Sequence, residues 1–468
     1  LGLGGSEMST LGILISLALL MYFAYRGVTV LILAPLVAAL ALVFSGDAMM
    51  MLPTYTQVFM KSMGGYLIQF FPLFLLGAIF GKLMDDSGSA RAIAQGIIDR
   101  IGSEHAILAM VLSCGLLTYG GVSCFVVAFA VFPIGAALFR EANIPKRLIP
   151  GVIALGSFTF TMTALPGTPA IQNAIPSPFF GTDTFAAPGL GIIGGLIMFA
   201  IGTWWTQAQA RKLMAAGEGF GVHSEAADER RDVPVVSFAT ALIPILVVIG
   251  LNFIMAKIVL PNIDTSFLAN PEFGGLKDSN SVIGIWSIIV AVTTAVLLLI
   301  ALHWPRWADL KKTLNEGTFG SMLPILNTAS EVGYGTVIAS LAGFAIIRDL
   351  VLNIPGNPLV SEAVAVNVLA GITGSASGGM SIALKTLGPQ YLEMANAAGI
   401  SPQLLHRVAA MASGCMDTLP HNGAVISLLT ICGLTHRESY KFIFYNTVLF
   451  PMIALVVVII LGSTFGSF

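Results

Sequence analysis

Charged residues are scarce in this chain of 468 residues, in which only 10% are Asp, Glu, Lys or Arg. A soluble domain usually carries about 25%. Hydrophobic residues make up 56% of the chain, and apolar runs recur at roughly 17–25 residues, a length that crosses a bilayer as a helix. The scarcity of charge excludes an ordinary soluble protein, and the sequence predicts an all-α polytopic membrane protein.

Other absences narrow the class of function. The net charge is −2 and there is no basic tract, so we expect no nucleic-acid partner. The sequence has no Walker A motif, no HExxH helix and no GxSxG elbow, and we therefore expect neither an ATP-driven pump nor an enzyme with catalytic residues. The four cysteines lack CxxC spacing and are expected to be small core residues, so no metal and no cofactor is predicted.

Apolar runs divide the chain into two halves of about six membrane segments each. The first half, 8–205, has candidate spans at about 10–25, 28–46 and 63–83, a hydrophobic pair at 105–139, a broken span at 148–175 and a span at 185–205. A hydrophilic linker at 206–235 follows. The second half, 236–468, has spans at about 236–256, 281–303 and 318–340, a pair at 360–395, a broken span at 404–432 and a span at 442–462. Residues 1–7, which precede Met8, are expected to be a cloning remnant.

The placement of lysine and arginine predicts the orientation in the membrane, because cytoplasmic loops carry an excess of these residues. With the linker in the cytoplasm, 16 of the 22 fall inside. The six expected outside are Lys61, Lys257, Lys277, Arg348, Lys385 and Arg407. We therefore expect a bacterial inner-membrane protein with a cytoplasmic linker and both termini in the periplasm. The two halves then cross the membrane in opposite directions.

An internal repeat supports this inverted arrangement. Leu165-Pro166 and Leu419-Pro420 are 254 residues apart, and the same offset relates the Gly/Ser stretches at 119–123 and 373–377. The sequence predicts two inverted-topology repeats, each with a re-entrant-type hairpin and a broken helix. Such repeats place substrate near the midplane of secondary transporters, where half-helix N-termini suit an anion.

The breaks and hairpin tips supply neutral hydrogen-bonding groups that could hold a carboxylate or a hydroxyl. Proline removes a backbone donor, and glycine allows the chain to open, so the break must face protein or a watery cavity. No arginine is expected beside either break, which favours a small monocarboxylate. The candidate substrate-binding residues are Gly120, Ser123, Thr163, Gly167, Thr168, Gln172, Asn173, Thr373, Ser375, Ser377, His421 and Asn422.

Few ionisable residues fall inside the predicted spans, and a charge within a membrane marks a functional site by default. Glu331 lies mid-span, while Asp417 and His421 flank the second Leu-Pro break. These three are the candidates for proton coupling, with a structural hydrogen bond or ion pair as the alternative for each. Asp85 and Asp86 end a span, and they are expected to be a solvated helix end or an N-cap.

The stretch Leu75–Ala94, the tip "TGSAS" and the two broken spans resemble the gluconate permease (GntP-type) family of proton-coupled carboxylate transporters, within the ion transporter superfamily. The resemblance covers nearly the whole chain. It implies uptake of a sugar acid or hydroxy acid with a proton, and sodium is the alternative coupling ion. It also implies a homodimer in the lipid membrane and an elevator-like movement.

The first hairpin departs from that family. Gluconate permeases typically carry an acidic residue at this tip, whereas "TYGGVSCF" has Gly120 there. Loss of a carboxylate that engages sugar hydroxyls fits a shorter acid, so the expected substrate is a small organic monocarboxylate such as 3-hydroxybutyrate or lactate. Gluconate or another sugar-acid or citrate-type substrate is the alternative, and a passive anion channel is the alternative of another class.

Overall fold

The computed structural model describes residues 5–221, 236–273 and 280–468, and these residues contain helices and no strands. The helices of the first half are α1 (Gly5–Tyr25), α2 (Val30–Phe44), α3 (Met51–Pro53), α4 (Met60–Asp86), α5 (Ser89–Ile101), α6 (Ala106–Tyr119), α7 (Cys124–Glu141), α8 (Ile149–Ser157), α9 (Ile171–Ala174), α10 (Ser177–Phe180) and α11 (Pro188–Ala215). The helices of the second half are α12 (Phe238–Phe253), α13 (Asn280–Leu302), α14 (Leu310–Ser340), α15 (Phe344–Leu352), α16 (Pro358–Thr373), α17 (Ala376–Ala397), α18 (Pro402–Ser413), α19 (Gly423–Ile431), α20 (His436–Phe444) and α21 (Phe450–Phe465).

The prediction of an all-α polytopic membrane protein is confirmed. In the described part of the chain, seven helical stretches are long and apolar enough to cross a membrane, and nine qualify when two bent pairs count as spans. The linker starts later than expected, because α11 continues to Ala215 through residues with good helix propensity such as Gln207 and Lys212. Residues 222–235, the rest of the expected linker, lie outside the described residues.

Helices α4 and α14 pack against each other as a long antiparallel pair at the centre of the fold. At one end the Ser62 and Thr336 hydroxyls are 2.6 Å apart. At the other end Lys82 forms a 3.0 Å ion pair with Glu316. Ser62 and Lys82 are separated by about 30 Å of helix, which is the thickness of a bilayer core. The two ends of this pair therefore lie near opposite faces of the membrane.

The acidic end of α4 has a different role from the one expected. Asp86 forms a 3.0 Å ion pair with Lys82 and accepts a 2.6 Å hydrogen bond from the Thr313 hydroxyl of α14. The N-cap of α5 is Gly88, whose φ of 77° suits a glycine, and no side chain caps this helix. The expectation of a solvated end or an acidic N-cap is therefore wrong for Asp86, which joins α4 to α14.

Two helical hairpins and two broken helices pack around this central pair. The first hairpin is α6 and α7, and the second is α16 and α17. The first broken span runs from α8 to α9, and the second runs from α18 to α19. The contacts cross between the halves, because α17 packs against α9 and α10, while α7 packs against α19. Each hairpin thus supports the distal part of the other half's broken span.

Short helices connect the central pair to the hairpins. The chain bends by 105° between α5 and the segment that starts the first hairpin, Ser103–Tyr119, and by 96° between α14 and α15. Helix α5 begins at Ser89 in the first half, and a short helix occupies the corresponding place in the second half. Helix α15 starts at Phe344, close to 254 residues after the start of α5.

Candidate functional site

The first Leu-Pro break opens the helix as its sequence predicts. A π-helical turn, Phe160–Ala164, ends at Leu165, whose ψ of 133° is extended. Gly167 follows with a φ of +79°, a left-handed conformation in which a side chain would be strained. The Gly167 N–H leaves the helix and donates to the Thr184 carbonyl at 2.9 Å. The break therefore keeps its backbone groups paired by turning to a neighbouring loop.

Arg407 corrects the expectation that no arginine lies beside either break. It is fully buried on α18 and stands beside the first break. Its five guanidinium hydrogen bonds go to the Thr163, Thr184 and Ala186 carbonyls and to the Asn173 amide oxygen. Arginine has five N–H donors, so none remains for a substrate. Arg407 satisfies carbonyls that the broken helix leaves free.

The predicted residues of the first break are engaged with the protein itself. Thr163 is buried and donates to the Thr159 carbonyl, and the Thr168 hydroxyl accepts from the Ala170 N–H. The Asn173 amide donates to the Thr168 and Thr184 carbonyls. These contacts make the first break a closed, internally bonded turn.

The tip of the first hairpin lies against this break. The Tyr119 hydroxyl donates to the Pro166 carbonyl at 2.7 Å. Gly120 packs closely on Ile245 of α12, and Ser123 packs beside Gly81 of α4. Gln172, the remaining candidate, is half-buried in α9. The structure thus brings the first tip and the first break together, with small residues allowing the close approach.

The second break has the same relation to the second hairpin. The Asn422 amide donates to the Gly374 carbonyl at the tip and to the Asp417 carbonyl, both at 2.8 Å. Its amide oxygen accepts from the N–H groups of Ala424 and Val425, so Asn422 is also the N-cap of α19. This one side chain joins the second tip to the second break.

Glu331 of α14 reaches the same hairpin tip. It is 2% exposed, and its Oε2 lies so close to Gly378 that a β-carbon there would overlap it. One turn earlier on α14, the Thr328 hydroxyl is 3.3 Å from that of Ser377. The Ser375 hydroxyl caps α17 by accepting from the Gly378 N–H. The structure therefore groups a carboxyl with two predicted tip serines.

Several buried polar atoms of the second half have no hydrogen-bond partner within the described residues. Among them are Oε2 of Glu331, Oδ1 of Asp417 and Nε2 of His421. The His421 ring lies against Gly374, at the tip that Asn422 also contacts. Buried polar atoms are nearly always paired. The atoms of Glu331 and His421 lie at the tip of the second hairpin, against Gly378 and Gly374.

We define the hairpin-2 cluster as Thr328, Glu331, Ser375, Ser377, His421 and Asn422. Two helices of eight residues or more start in it, since α17 follows Ser375 and α19 follows Asn422. Free N–H groups and the helix dipole give a helix N-terminus a partial positive charge. Thr373, the last residue of α16, turns its hydroxyl back to the Leu369 carbonyl. The cluster thus pairs anion-attracting helix ends with one carboxyl.

The two breaks adjoin each other. Gly414, which ends α18, packs so closely on Thr163 that a β-carbon would lie 2.8 Å from its methyl group. Arg407 bonds to the first break from the same helix. Within the described ranges, no group of three or more His, Cys, Asp or Glu side chains is placed to hold a metal ion.

Sequence motifs did not indicate the burial of three polar residues, Thr328, Arg407 and Glu362. Thr328 precedes Glu331 by three positions, so its place on the same helix face was available from the helical period. Arg407 lies within the predicted broken span at 404–432, but it was counted among the cations of the outer side. Glu362 of α16 is fully buried with both carboxyl oxygens unpartnered in the described structure, and no motif marked it.

Comparison with known proteins gives three similarities. The family described as GntP family permease matches residues 8–464. The "Uncharacterized transporter YxjC" of Bacillus subtilis (strain 168) is 46% identical over 458 residues, covering 94% of this chain and 96% of that protein. The "High-affinity gluconate transporter" of Escherichia coli (strain K12) is 31% identical over 166 residues, 35% of each chain.

A solved structure is also similar in overall form. The crystal structure of the Alcanivorax borkumensis YdaH transporter has a TM-score of 0.48 and 17% sequence identity, covering 90% of this chain and 89% of that chain. The relatives are named as transporters, in agreement with the expectation that the chain is not an enzyme.

Proposed function

The chain belongs to the GntP permease family, and from that premise we propose that it imports a small organic monocarboxylate together with a proton. The observation that carries the proposal is the hairpin-2 cluster, where two helix N-termini meet a buried carboxyl with one unpartnered oxygen at one hairpin tip. The cluster supplies both parts of a symport, a place for an anion and a group that takes up a proton.

The substrate carboxylate binds at the start of α17 and α19. The Ser375 and Ser377 hydroxyls and the N–H groups at the starts of these helices are donors of the kind that hold carboxylates. Arginine is not needed there, and Arg407 has all its donors engaged. One negative charge without a guanidinium partner fits a monocarboxylate better than a dicarboxylate.

Glu331 carries the coupled proton in this proposal. Two carboxylates that share a small site cannot both be ionised without strong repulsion. An anion bound beside Glu331 therefore favours the protonated acid, and the proton in turn favours the anion, because coupling between two ligands is reciprocal. Asp417, whose carbonyl bonds to Asn422, is the second candidate for the proton. His421, beside Gly374, contacts the substrate or relays the proton.

A short hydroxy acid such as 3-hydroxybutyrate or lactate is the proposed substrate. The first hairpin tip holds Gly120 packed on Ile245, which leaves no acidic side chain at that position to receive sugar hydroxyls. Gluconate, which the Escherichia coli relative is named for, is the second candidate. Sodium is the alternative coupling ion.

The proposed movement is elevator-like, with the hairpins and broken helices sliding as a body against the central α4–α14 pair. The bends beside α5 and α15 give the connecting arms that such a movement needs. The repeat at an offset of 254 residues supports two inverted halves in the inner membrane. A homodimer, the linker in the cytoplasm and both termini in the periplasm complete the proposal.

Uptake into proteoliposomes tests this function. We expect saturable uptake of radiolabelled 3-hydroxybutyrate that accumulates when the outside is more acidic, and collapse of accumulation by a protonophore. Gluconate, lactate and citrate serve as competitors, and a sodium gradient at equal pH is the control for the coupling ion. Flux that stays linear with concentration and ignores every gradient would establish a channel and refute the proposal.

A further inference from the structure

A cavity of about 450 Å³ opens at one end of the α4–α14 pair, away from the Lys82–Glu316 ion pair. It lies between α4, α14 and α17, and none of the predicted substrate-binding residues lines it. Its polar lining includes Lys61, Lys385, Gln57, Gln69, Ser62 and Thr336. Ser62 and Thr336, whose hydroxyls share a hydrogen bond, both line the cavity. The cavity is therefore at the end of the pair opposite Lys82.

The charged side chains that line this cavity, Lys61 and Lys385, are both basic. Lys61 comes from α4 and Lys385 from α17, so two separate helices each bring a cation to the same space. In the part of the chain that the structure describes, neither lysine forms an ion pair, and no acidic residue lines the cavity. Two unpaired ammonium groups around one cavity attract anions and raise their local concentration.

A polar stripe leads from the cavity towards the hairpin-2 cluster. On α17, Ser377, Ser381 and Lys385 follow at intervals of four residues and share one face of the helix. Ser377 belongs to the cluster, and the other two line the cavity. Lys385 is about 12 Å along the helix from Ser377. The cavity therefore sits directly over the proposed binding site.

Helix α14 carries a matching stripe. Thr328 of the cluster is followed at intervals of four residues by Val332 and Thr336, and both of these line the cavity. Tyr66 of α4 also lines it, and its buried hydroxyl has no partner within the described residues. Val332, which lines the cavity, directly follows Glu331 in α14.

We propose that this cavity is an entry site in which Lys61 and Lys385 capture the substrate carboxylate from the outer side before it moves to the hairpin-2 cluster. The inference rests on the proposed import of an organic anion, and it adds a second, outer binding site that selects for negative charge. Both lysines were expected on the periplasmic side from their sequence positions, and the structure brings them to one cavity.

Thiol labelling tests the charge of the cavity without any knowledge of the substrate. Thr336→Cys is placed in the full chain, and its reaction rates with an anionic sulfonatoethyl and a cationic trimethylammonioethyl methanethiosulfonate are compared. Adding Lys61→Gln and Lys385→Gln should lower the anionic-to-cationic rate ratio by roughly tenfold. Lys311→Gln, an exposed lysine on α14 beyond the ion-pair end, should leave the ratio unchanged. The unmodified chain is the labelling blank, and an equal ratio with and without the two lysines overturns the inference.

Transport kinetics form the second arm. In the Lys61→Gln/Lys385→Gln variant we expect KM for 3-hydroxybutyrate to rise roughly tenfold, with kcat nearly unchanged and a weaker dependence on ionic strength. An unchanged KM with measurable uptake overturns the entry site and leaves the proposed function intact. Absence of uptake in the unmodified chain refutes the proposed function, while the labelling ratio still decides on the cavity.

An anionic lipid headgroup is the competing occupant. Labelling of Thr336→Cys is therefore compared in phosphatidylcholine vesicles with and without phosphatidylglycerol. Slower labelling on addition of 3-hydroxybutyrate in pure phosphatidylcholine supports the entry site. Slower labelling only when phosphatidylglycerol is present assigns the cavity to lipid and overturns it.

Discussion

At the scale of single residues, Glu331 is the group to which we assign the coupled proton in the proposed function. It is buried on α14 with one carboxyl oxygen unpartnered among the described residues, beside the tip serines of the second hairpin. Its position mid-span was visible in the sequence, because a carboxyl inside an apolar run stands out. Its neighbours were not visible, since they come from a hairpin more than forty residues further along the chain.

Glu331→Gln should uncouple transport from the proton gradient. If one proton binds with each anion, substrate affinity falls by about tenfold per pH unit as the pH rises above the point where Glu331 loses its proton. In the glutamine variant we expect binding without this dependence, and exchange without accumulation. Isothermal calorimetry across pH and uptake in proteoliposomes measure the two effects.

Glu362→Gln is the matched control, because Glu362 is also a fully buried carboxyl with unpartnered oxygens in the described structure. It lies on α16 about 16 Å along the helix from the tip at Thr373. We expect this variant to keep proton-driven accumulation. If Glu362→Gln loses coupling while Glu331→Gln keeps it, the coupled proton is carried by Glu362 of α16 and not by Glu331.

Arg407→Lys should destabilise the protein, although it keeps the charge. Lysine cannot reproduce five hydrogen bonds from a planar group, so carbonyls of the first break lose their donors. We expect a loss of about 2–3 kcal/mol in the free energy of unfolding. Thermal unfolding in detergent measures it, with Arg348→Lys at an exposed site as the control. Equal melting temperatures would show that the break does not depend on Arg407.

At the scale of helices, the broken spans and hairpin tips contact each other in a repeated way. Tyr119 joins the first tip to the first break, and Asn422 joins the second tip to the second break. The two halves use different side chains for the same contact, which is why the sequence repeat is weak although the arrangement recurs. Because the Asn422 amide bonds to both elements, we expect its removal to lower stability as well as any binding.

Two cysteine pairs distinguish a contact that the proposed movement breaks from a contact that it leaves intact. Thr328→Cys with Ser377→Cys links α14 to the second hairpin across a 3.3 Å contact. A disulfide there should stop transport until it is reduced, because the proposed movement slides these elements past each other. Uptake before and after reductant measures the block.

Ser62→Cys with Thr336→Cys is the control pair, since it links α4 to α14 across a 2.6 Å contact within the central pair. A disulfide at this position should leave transport unchanged. Block by both pairs, or by the control pair alone, would show that the central helices also move and would contradict the proposed division.

Much of the helix plan was predictable from the sequence, because spans, hairpins and breaks follow from apolar runs interrupted by Pro and Gly. The structural features that could not be predicted from the sequence depend on contacts between distant parts of the chain. Arg407 is a cation in a helix whose partners are backbone carbonyls of the other half. The extension of α11 to Ala215 was missed because polar helix formers ended the apolar run before the helix ended.

At the scale of the whole molecule, residues at the two ends of the α4–α14 pair can be used to identify which end faces which side of the membrane. Gln57 lines the cavity near one end, and Lys311 lies exposed beyond the other. We expect Gln57→Cys to react with an impermeant thiol reagent added outside intact cells. Lys311→Cys should react only after the membrane is opened. The opposite pattern would invert the proposed orientation.

The central pair also shows how the two halves have diverged. At the offset of 254 residues, Ser62 corresponds to Glu316 and Lys82 corresponds to Thr336. The hydroxyl contact at one end and the ion pair at the other are therefore the same contact made twice. If both halves descend from one duplicated gene, selection has kept the contact between the two helices but changed the residues that make it at each membrane face. The two faces of the membrane then meet chemically different ends of the same helix pair, a neutral end with two hydroxyls and a charged end with an ion pair.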